Sequence, residues 1–197
     1  VTFYRFALNL LRPILWLLWR PQAEGIENVP ENGGVLVCNH LRALDPLLLA
    51  ICLPNRTLHF LAKEELFRIP VLGFLIRKLN AIPVRRKQVD VAAVRKCMRV
   101  VKDGGILLIF PEGTRSRTGE LLPFEEGASF IASRCGTVVY PAHIQVGRTR
   151  KGRRRVTFAP PLDLTAIAPQ ADKETRLKAM TAAIREKILE LARKDEE

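Results

Sequence analysis

The chain is short of acid. Against 32 lysines and arginines stand 20 aspartates and glutamates, so the 197 residues carry a formal charge of +12 and a pI near 10.1. Such an excess attracts polyanions: nucleic acid, an anionic membrane surface, or small phosphorylated substrates. Cysteine is also scarce. Cys38, Cys52, Cys97 and Cys135 contain no CxxC pair, which leaves no zinc-ligand spacing and no disulfide framework. Isolated in apolar stretches, they read as buried thiols in a reducing compartment, and haem, iron–sulfur and structural zinc are set aside. Aromatic residues make up 7%, and none interleaves with the cations of the basic run Arg148 to Arg155, which argues against nucleic acid. No Walker pattern, GxGxxG or GxSxG occurs.

Long apolar runs are missing too. Within Val1 to Arg20 the longest uncharged apolar stretch is Pro13 to Trp19, where a spanning helix wants about 20 residues. Trp19-Arg20-Pro21 is no signal-peptide cleavage site. On a helix, Arg5, Asn9, Arg12 and Trp16 line one side, and Phe3, Phe6, Leu10, Ile14 and Leu17 the other. That pattern predicts an amphipathic segment, 1–20, lying in a membrane interface; a helix packed on its own domain is the alternative. Pro13 is expected to kink or split it.

What is present suffices for one folded domain. Hydrophobic residues are 48% and charged residues 26%, which excludes disorder, and folding at this size hides roughly 70% of the chain's surface. Strands are predicted at 35–38, 57–62, 81–84, 105–110, 138–146 and 155–159. Helices are predicted at 46–53, 91–101, 127–134 and 174–194. The alternation implies a single α/β domain over 21–197, with a mixed, mostly parallel central sheet flanked by helices. The apolar stretch Leu66 to Leu79 reads as an acyl-chain channel, a lipid-dipping segment or ordinary helix core. The basic turn Arg148 to Arg155 reads as a solvated hairpin tip or a phosphate contact.

Chemistry-bearing residues cluster where strands hand over to loops, the favoured place for α/β sites. In Asn39-His40-Leu-Arg-Ala-Leu-Asp45, the pair Asp45-Pro46 reads as a helix start, with the aspartate as N-cap. His40 then lies in the loop. On a continuous helix the two side chains would stand about 140° apart, whereas a loop folds back and lets the carboxylate meet the imidazole. A histidine so held is oriented and serves as a general base. An N-cap aspartate beside an unrelated histidine is the plain alternative. His59 and His143 read as core or edge residues.

In Phe110-Pro-Glu-Gly-Thr-Arg-Ser-Arg117, Gly113 permits close backbone approach, Thr114 supplies a hydroxyl, and Arg115 offers a planar fork for phosphate. Glu112 is suited to orienting an arginine or accepting from a substrate hydroxyl. Ile82-Pro-Val-Arg-Arg86 ends in a second pair of phosphate-capable arginines.

Taken in order, Asn39-His40…Asp45, Ile82-Pro-Val-Arg-Arg86, Phe110-Pro-Glu-Gly-Thr-Arg115 and Val138-Val-Tyr-Pro-Ala142 resemble the glycerolipid acyltransferase family of the bacterial PlsC type, over residues 20–165. Lys63, in Phe60-Leu-Ala-Lys-Glu-Glu-Leu66, matches a recurrent lysine of that family. The resemblance implies acyl transfer from acyl-CoA or acyl-carrier protein to the sn-2 hydroxyl of 1-acyl-glycerol 3-phosphate (lysophosphatidic acid), giving phosphatidic acid. It implies that His40 deprotonates that hydroxyl with Asp45 in support, that Arg86, Glu112, Gly113 and Arg115 hold the glycerol phosphate, and that no metal or other cofactor takes part. Thr114 and Lys63 join the expected substrate-binding set, Lys63 as an oxyanion donor. The implied location is the cytoplasmic face of the membrane, peripheral or monotopic. The chain departs from the family at Arg85, where an acid is frequent, and at Glu125-Glu126, where a lysine is frequent. Alternatives are another acceptor within the family (glycerol 3-phosphate or a lysophospholipid), a thioesterase, and a non-catalytic basic membrane-binding module.

Overall fold

The computed structural model describes residues 3–85, 89–146 and 154–196. Its elements in chain order are α1 (Phe3–Trp19), β1 (Gln22–Glu24), β2 (Val35–Cys38), α2 (Asp45–Cys52), β3 (Leu58–Lys63), α3 (Pro70–Lys78), β4 (Ala81–Val84), α4 (Val91–Lys102), β5 (Ile106–Ile109), α5 (Gly127–Cys135), β6 (Val139–Val146), β7 (Arg154–Phe158) and α6 (Lys173–Glu196). The sheet runs β1-β7-β6-β2-β5-β3-β4. All its neighbours pair in parallel except β6 and β7, which form an antiparallel pair. This is the α/β domain with a mostly parallel mixed sheet that the alternating pattern predicts.

Alternation along the central strands divides the core in two. Leu36, Cys38, Ile106 and Leu108 face α1 and α2, where they meet Tyr4, Leu8, Leu48 and Leu49. Val35, Val37, Leu107 and Ile109 face the other way, onto Cys97, Ile131, Met180, Ile184 and Ile188 of α4, α5 and α6. The sheet therefore separates an α1/α2 side from an α4/α5/α6 side.

Element ends shift from the expected ones by a residue or two. β1 was not legible because its Gln-Ala-Glu is an edge strand with no apolar repeat. Pro13 does not split α1, which runs through it as one helix. The helix presents three faces rather than two. Tyr4 and Leu8 are buried in the domain, and the Tyr4 hydroxyl accepts from the Leu58 N–H at 3.1 Å, burial pushing its pKa up to about 12. Phe6, Leu10, Ile14 and Leu17 stay more than half exposed. The packed-helix and open-apolar-face readings thus both describe α1. Beside it, Ile69 and, in α3, Val71, Phe74 and Leu75 are exposed while Phe67 is buried, so ordinary helix core describes 66–79 only in part. Phe3 and Phe74 meet edge to face at 6.5 Å, joining the two open faces. Among the described residues, no helix is long and apolar enough to cross a membrane.

Candidate active site

Parallel strands put their C-terminal ends on one edge, so the loops after β2, β3, β4 and β5 gather there. His40 leaves β2 on that edge. Its Nδ1 lies 2.9 Å from Asp45 Oδ2, and the same oxygen accepts the backbone N–H groups of Leu41 at 2.7 Å and Arg42 at 2.6 Å. Asp45 is 1% exposed, against 12% for the histidine.

Asp45 is not the N-cap expected from the sequence; Leu44 takes that position. Asp45 is the first residue of α2 and makes no cap hydrogen bond. Pro46 follows it and has no N–H to satisfy, so the carboxylate turns back and closes the loop. With a carboxylate on Nδ1, the imidazole carries its hydrogen there, which leaves the lone pair on Nε2. Phe110 stacks on the ring at 4.2 Å and 21°, fixing its plane.

Glu112 does not point into open space. One of its oxygens accepts the His40 N–H at 2.7 Å and the other the Leu122 N–H at 3.1 Å. Burial raises its pKa; the two backbone donors oppose that shift without cancelling it. The His40 carbonyl in turn accepts the Ser116 N–H at 2.8 Å. The β2 and β5 loops are therefore bonded at both polar groups of the His40 backbone. Gly113 has φ +63°, a left-handed conformation that strains any side chain, and its N–H closes the turn onto the Phe110 carbonyl at 3.2 Å.

Thr114 and Arg115 line a cavity of about 1600 Å³ with Leu41, Arg42, Arg117 and His143. Lys63 ends β3, separated from β2 by β5, and its ammonium pairs with Glu65 at 3.1 Å rather than with the His40 loop. Arg86 and most of the basic turn, 147–153, lie outside the described residues. Arg85 bonds Asp90 through its backbone N–H at 3.0 Å and lies 3.9 Å from Glu64, so nearby acids face this departure from the family pattern.

Three features were not anticipated. Asn39 is buried and bonds both backbone polar groups of Ile144, at 3.0 and 2.7 Å, tying the end of β2 to β6. His143, read as a core or edge residue, lines the large cavity, and Arg185 and Arg193 of α6 line it too. A buried asparagine before the histidine was the one available signal for the first; nothing local announces the others.

Cys38 lies two residues before His40 but is fully buried on the α1/α2 side. Its Sγ lies 3.5 Å from Asn39 Oδ1, and burial, with Asp45 and Glu112 nearby, pushes the thiol's pKa well up. A thiol so placed is a poor nucleophile.

The acyltransferase family model matches residues 20–145. A 1-acyl-sn-glycerol-3-phosphate acyltransferase of Bacillus subtilis is 32% identical, over 97% of this chain and 98% of its own length. A chloroplastic enzyme of the same name from Brassica napus is 34% identical over 71% of this chain, which spans 41% of that relative. The crystal structure of the 1-acyl-sn-glycerophosphate acyltransferase PlsC of Thermotoga maritima superposes with a TM-score of 0.71 at 28% identity, covering 96% of this chain and 81% of that one. The chain therefore belongs to the acyltransferase family.

Proposed function

We propose that this acyltransferase moves a fatty acyl group from acyl-CoA or acyl-carrier protein to the sn-2 hydroxyl of 1-acyl-glycerol 3-phosphate. The observation that carries the reading is the oriented His40–Asp45 pair, 2.9 Å apart, beside a cavity edged by Arg42, Thr114 and Arg115. The acceptor is that of its relatives, which are 1-acyl-sn-glycerol-3-phosphate acyltransferases. An alcohol with a pKa of about 16 attacks a thioester poorly unless its proton leaves during attack, and a positioned imidazole contributes about 10²–10⁴-fold. His40 Nε2 takes that proton as the new C–O bond forms. Collapse of the tetrahedral intermediate breaks the C–S bond, and the proton passes to the departing thiolate. Asp45 stabilises the transient imidazolium.

Arg115, Thr114 and Arg86 hold the acceptor's phosphate, and its positioning supplies much of the remaining acceleration. Glu112 and Gly113 act through the backbone: the first holds the His40 loop, the second sets the turn that presents Thr114 and Arg115. Loop N–H groups, and Lys63 released from Glu65, are the donors for the oxyanion. No acyl-enzyme forms, and the reaction runs without metal or cofactor. The enzyme sits on the cytoplasmic face of the membrane, peripheral or monotopic. Segment 1–20, with α3, lies in the interface; this rests on the continuous apolar exposure from Phe6 to Phe74.

Mass-spectrometric detection of phosphatidic acid from lysophosphatidic acid and acyl-CoA or acyl-carrier protein tests this function. Its absence with both donors, while glycerol 3-phosphate or another lysophospholipid is acylated, would shift the acceptor.

A further inference from the structure

Of the cations in the basic run Arg148 to Arg155, Arg154 and Arg155 lie within the described residues, and the two differ. Arg155 lies 3.7 Å from Glu24 on the neighbouring edge strand. Arg154 has no carboxylate within ion-pair distance among the described residues. Its guanidinium sits 4.4 Å from the centre of the Trp19 ring, at the end of α1, and its Nη1 is buried with no hydrogen-bond partner. Burial pulls the group's pKa down; the Asp45 carboxylate opposes that shift and the Arg42 guanidinium adds to it. A charged donor withdrawn from water and left unpaired destabilises the fold, and an acceptor brought by a ligand removes that cost.

Strand register places Arg154 at the active site. It pairs with Val146, the last residue of β6, four positions beyond Ala142, which pairs with Cys38 at the end of β2. The β6–β7 pair therefore projects past the edge that His40 leaves, by about 13 Å at about 3.3 Å per residue. Asn39 ties the His40 loop beneath this overhang through Ile144. Along β7, Arg154, Val156 and Phe158 share one face, and the last two pack into the α1/α2 side of the core. Arg154 thus overhangs the His40–Asp45 loop from the α1/α2 side. Thr114 and Arg115 line the cavity given to the phosphate, whose wall does not include Arg154.

The acceptor's chain reaches the site from that same side. Leu17 and Leu18, near the end of α1, are 72% and 65% exposed. Trp19 and Leu41 both pack against the α1/α2 core, so apolar surface continues from α1 to the residue beside His40. In 1-acyl-glycerol 3-phosphate, the phosphate and the sn-1 ester stand on opposite sides of the sn-2 hydroxyl. With the phosphate at Arg115 and the hydroxyl at His40, the sn-1 ester falls toward Trp19 and Arg154. Its carbonyl oxygen is the strong acceptor of that group, and glycerol 3-phosphate has no carbonyl there.

We infer that Arg154, held flat on Trp19, donates from Nη1 to the sn-1 ester carbonyl of the acceptor and so selects a 1-acyl glycerol phosphate. A site built to hydrogen-bond one substrate group discriminates strongly against an analogue that lacks it. The inference rests on the acyl-transfer reading above and adds a residue that determines acceptor specificity. Arg154 lies beyond the 20–145 stretch matched by the family model.

The test compares two soluble acceptors that differ in that carbonyl alone, 1-hexanoyl-glycerol 3-phosphate and 1-O-hexyl-glycerol 3-phosphate. Each is titrated by calorimetry without donor, and kcat/KM is measured with acyl-CoA or acyl-carrier protein. The proteins are the intact chain, Arg154→Met and, as a charge control on an exposed stretch of α6, Lys178→Gln. The intact chain and the control are expected to favour the ester by about tenfold or more in both Kd and kcat/KM. In Arg154→Met both ratios should fall to within about twofold, through loss on the ester. Taken within one protein, the kcat/KM ratio is independent of the fraction that is folded. Should Arg154→Met not fold, Arg154→Gln is judged by the same ratios. No ester preference in the intact chain would overturn the inference, as would a preference that survives the loss of Arg154. An equal loss on both acceptors would overturn it by moving Arg154 to the phosphate, the oxyanion or the membrane. Absence of acylation of both acceptors by the intact chain is instead the failure of the functional reading, and the calorimetric ratio still decides the role of Arg154.

Discussion

Glu112 reaches the His40 backbone rather than its ring: Oε1 accepts the His40 N–H at 2.7 Å while Oε2 accepts that of Leu122 at 3.1 Å. A carboxylate 6% exposed is thereby the clasp between the loops after β2 and β5. Removing it as Glu112→Ala leaves two backbone donors without their partner, at a cost of about 2–4 kcal/mol in stability. Chemical denaturation of the variant measures that loss, and one below about 0.5 kcal/mol would remove the clasp.

The same residue makes a pH prediction with a definite sign. Burial raises its folded-state pKa above the ordinary value of 4.5, so the folded protein binds this proton more tightly than the unfolded chain. Its contribution to stability is present below about pH 4.5 and is lost as pH rises through the raised value. The stability of the natural chain relative to Glu112→Gln therefore falls as pH rises above about 4.5 and through the raised value, then levels off. Urea unfolding across that range checks it; a difference that grows with pH would contradict it.

Asp45→Asn keeps the size of the side chain and removes the negative charge 2.9 Å from the His40 ring, which the proposed mechanism uses to stabilise the imidazolium. Turnover is expected to drop by about 10²–10⁴-fold with the fold intact. Retention of more than a tenth of the activity would show that the charge on Asp45 is dispensable.

Much of this site is legible in the sequence, and the limit has a physical cause. His40 and Asp45 are five positions apart, so loop closure is a local event that spacing reveals. The Glu112 clasp joins positions 72 apart in the chain, and the Asn39–Ile144 bonds join positions 105 apart; only strand order brings these together. The strands were readable as apolar runs because the sheet buries both faces. The α6 arginines resembled any solvated helix face until packing set them opposite Arg115 and Arg117. Exposure of α3 was undecidable locally, since a core helix and an interfacial one share an apolar stripe.

Cys38→Ser should leave most of the activity, because a buried thiol whose pKa is pushed well up has no part in direct attack. An inactive but folded variant, checked by circular dichroism, would restore a covalent route.

Phe6→Ser combined with Leu17→Ser removes two apolar side chains from the open face of α1. Each contributes about 1.5–3 kcal/mol when buried, so partitioning onto anionic vesicles should weaken by more than about tenfold. Unchanged co-sedimentation would place the membrane contact elsewhere.

The central claim is that His40 activates an acceptor hydroxyl. Free-thiol release from a long-chain acyl-CoA, with and without lysophosphatidic acid, tests it on the intact chain and on His40→Ala. Release that depends on the acceptor and vanishes in the variant is the expected result. Release without acceptor, or undiminished release in a folded His40→Ala, would contradict it.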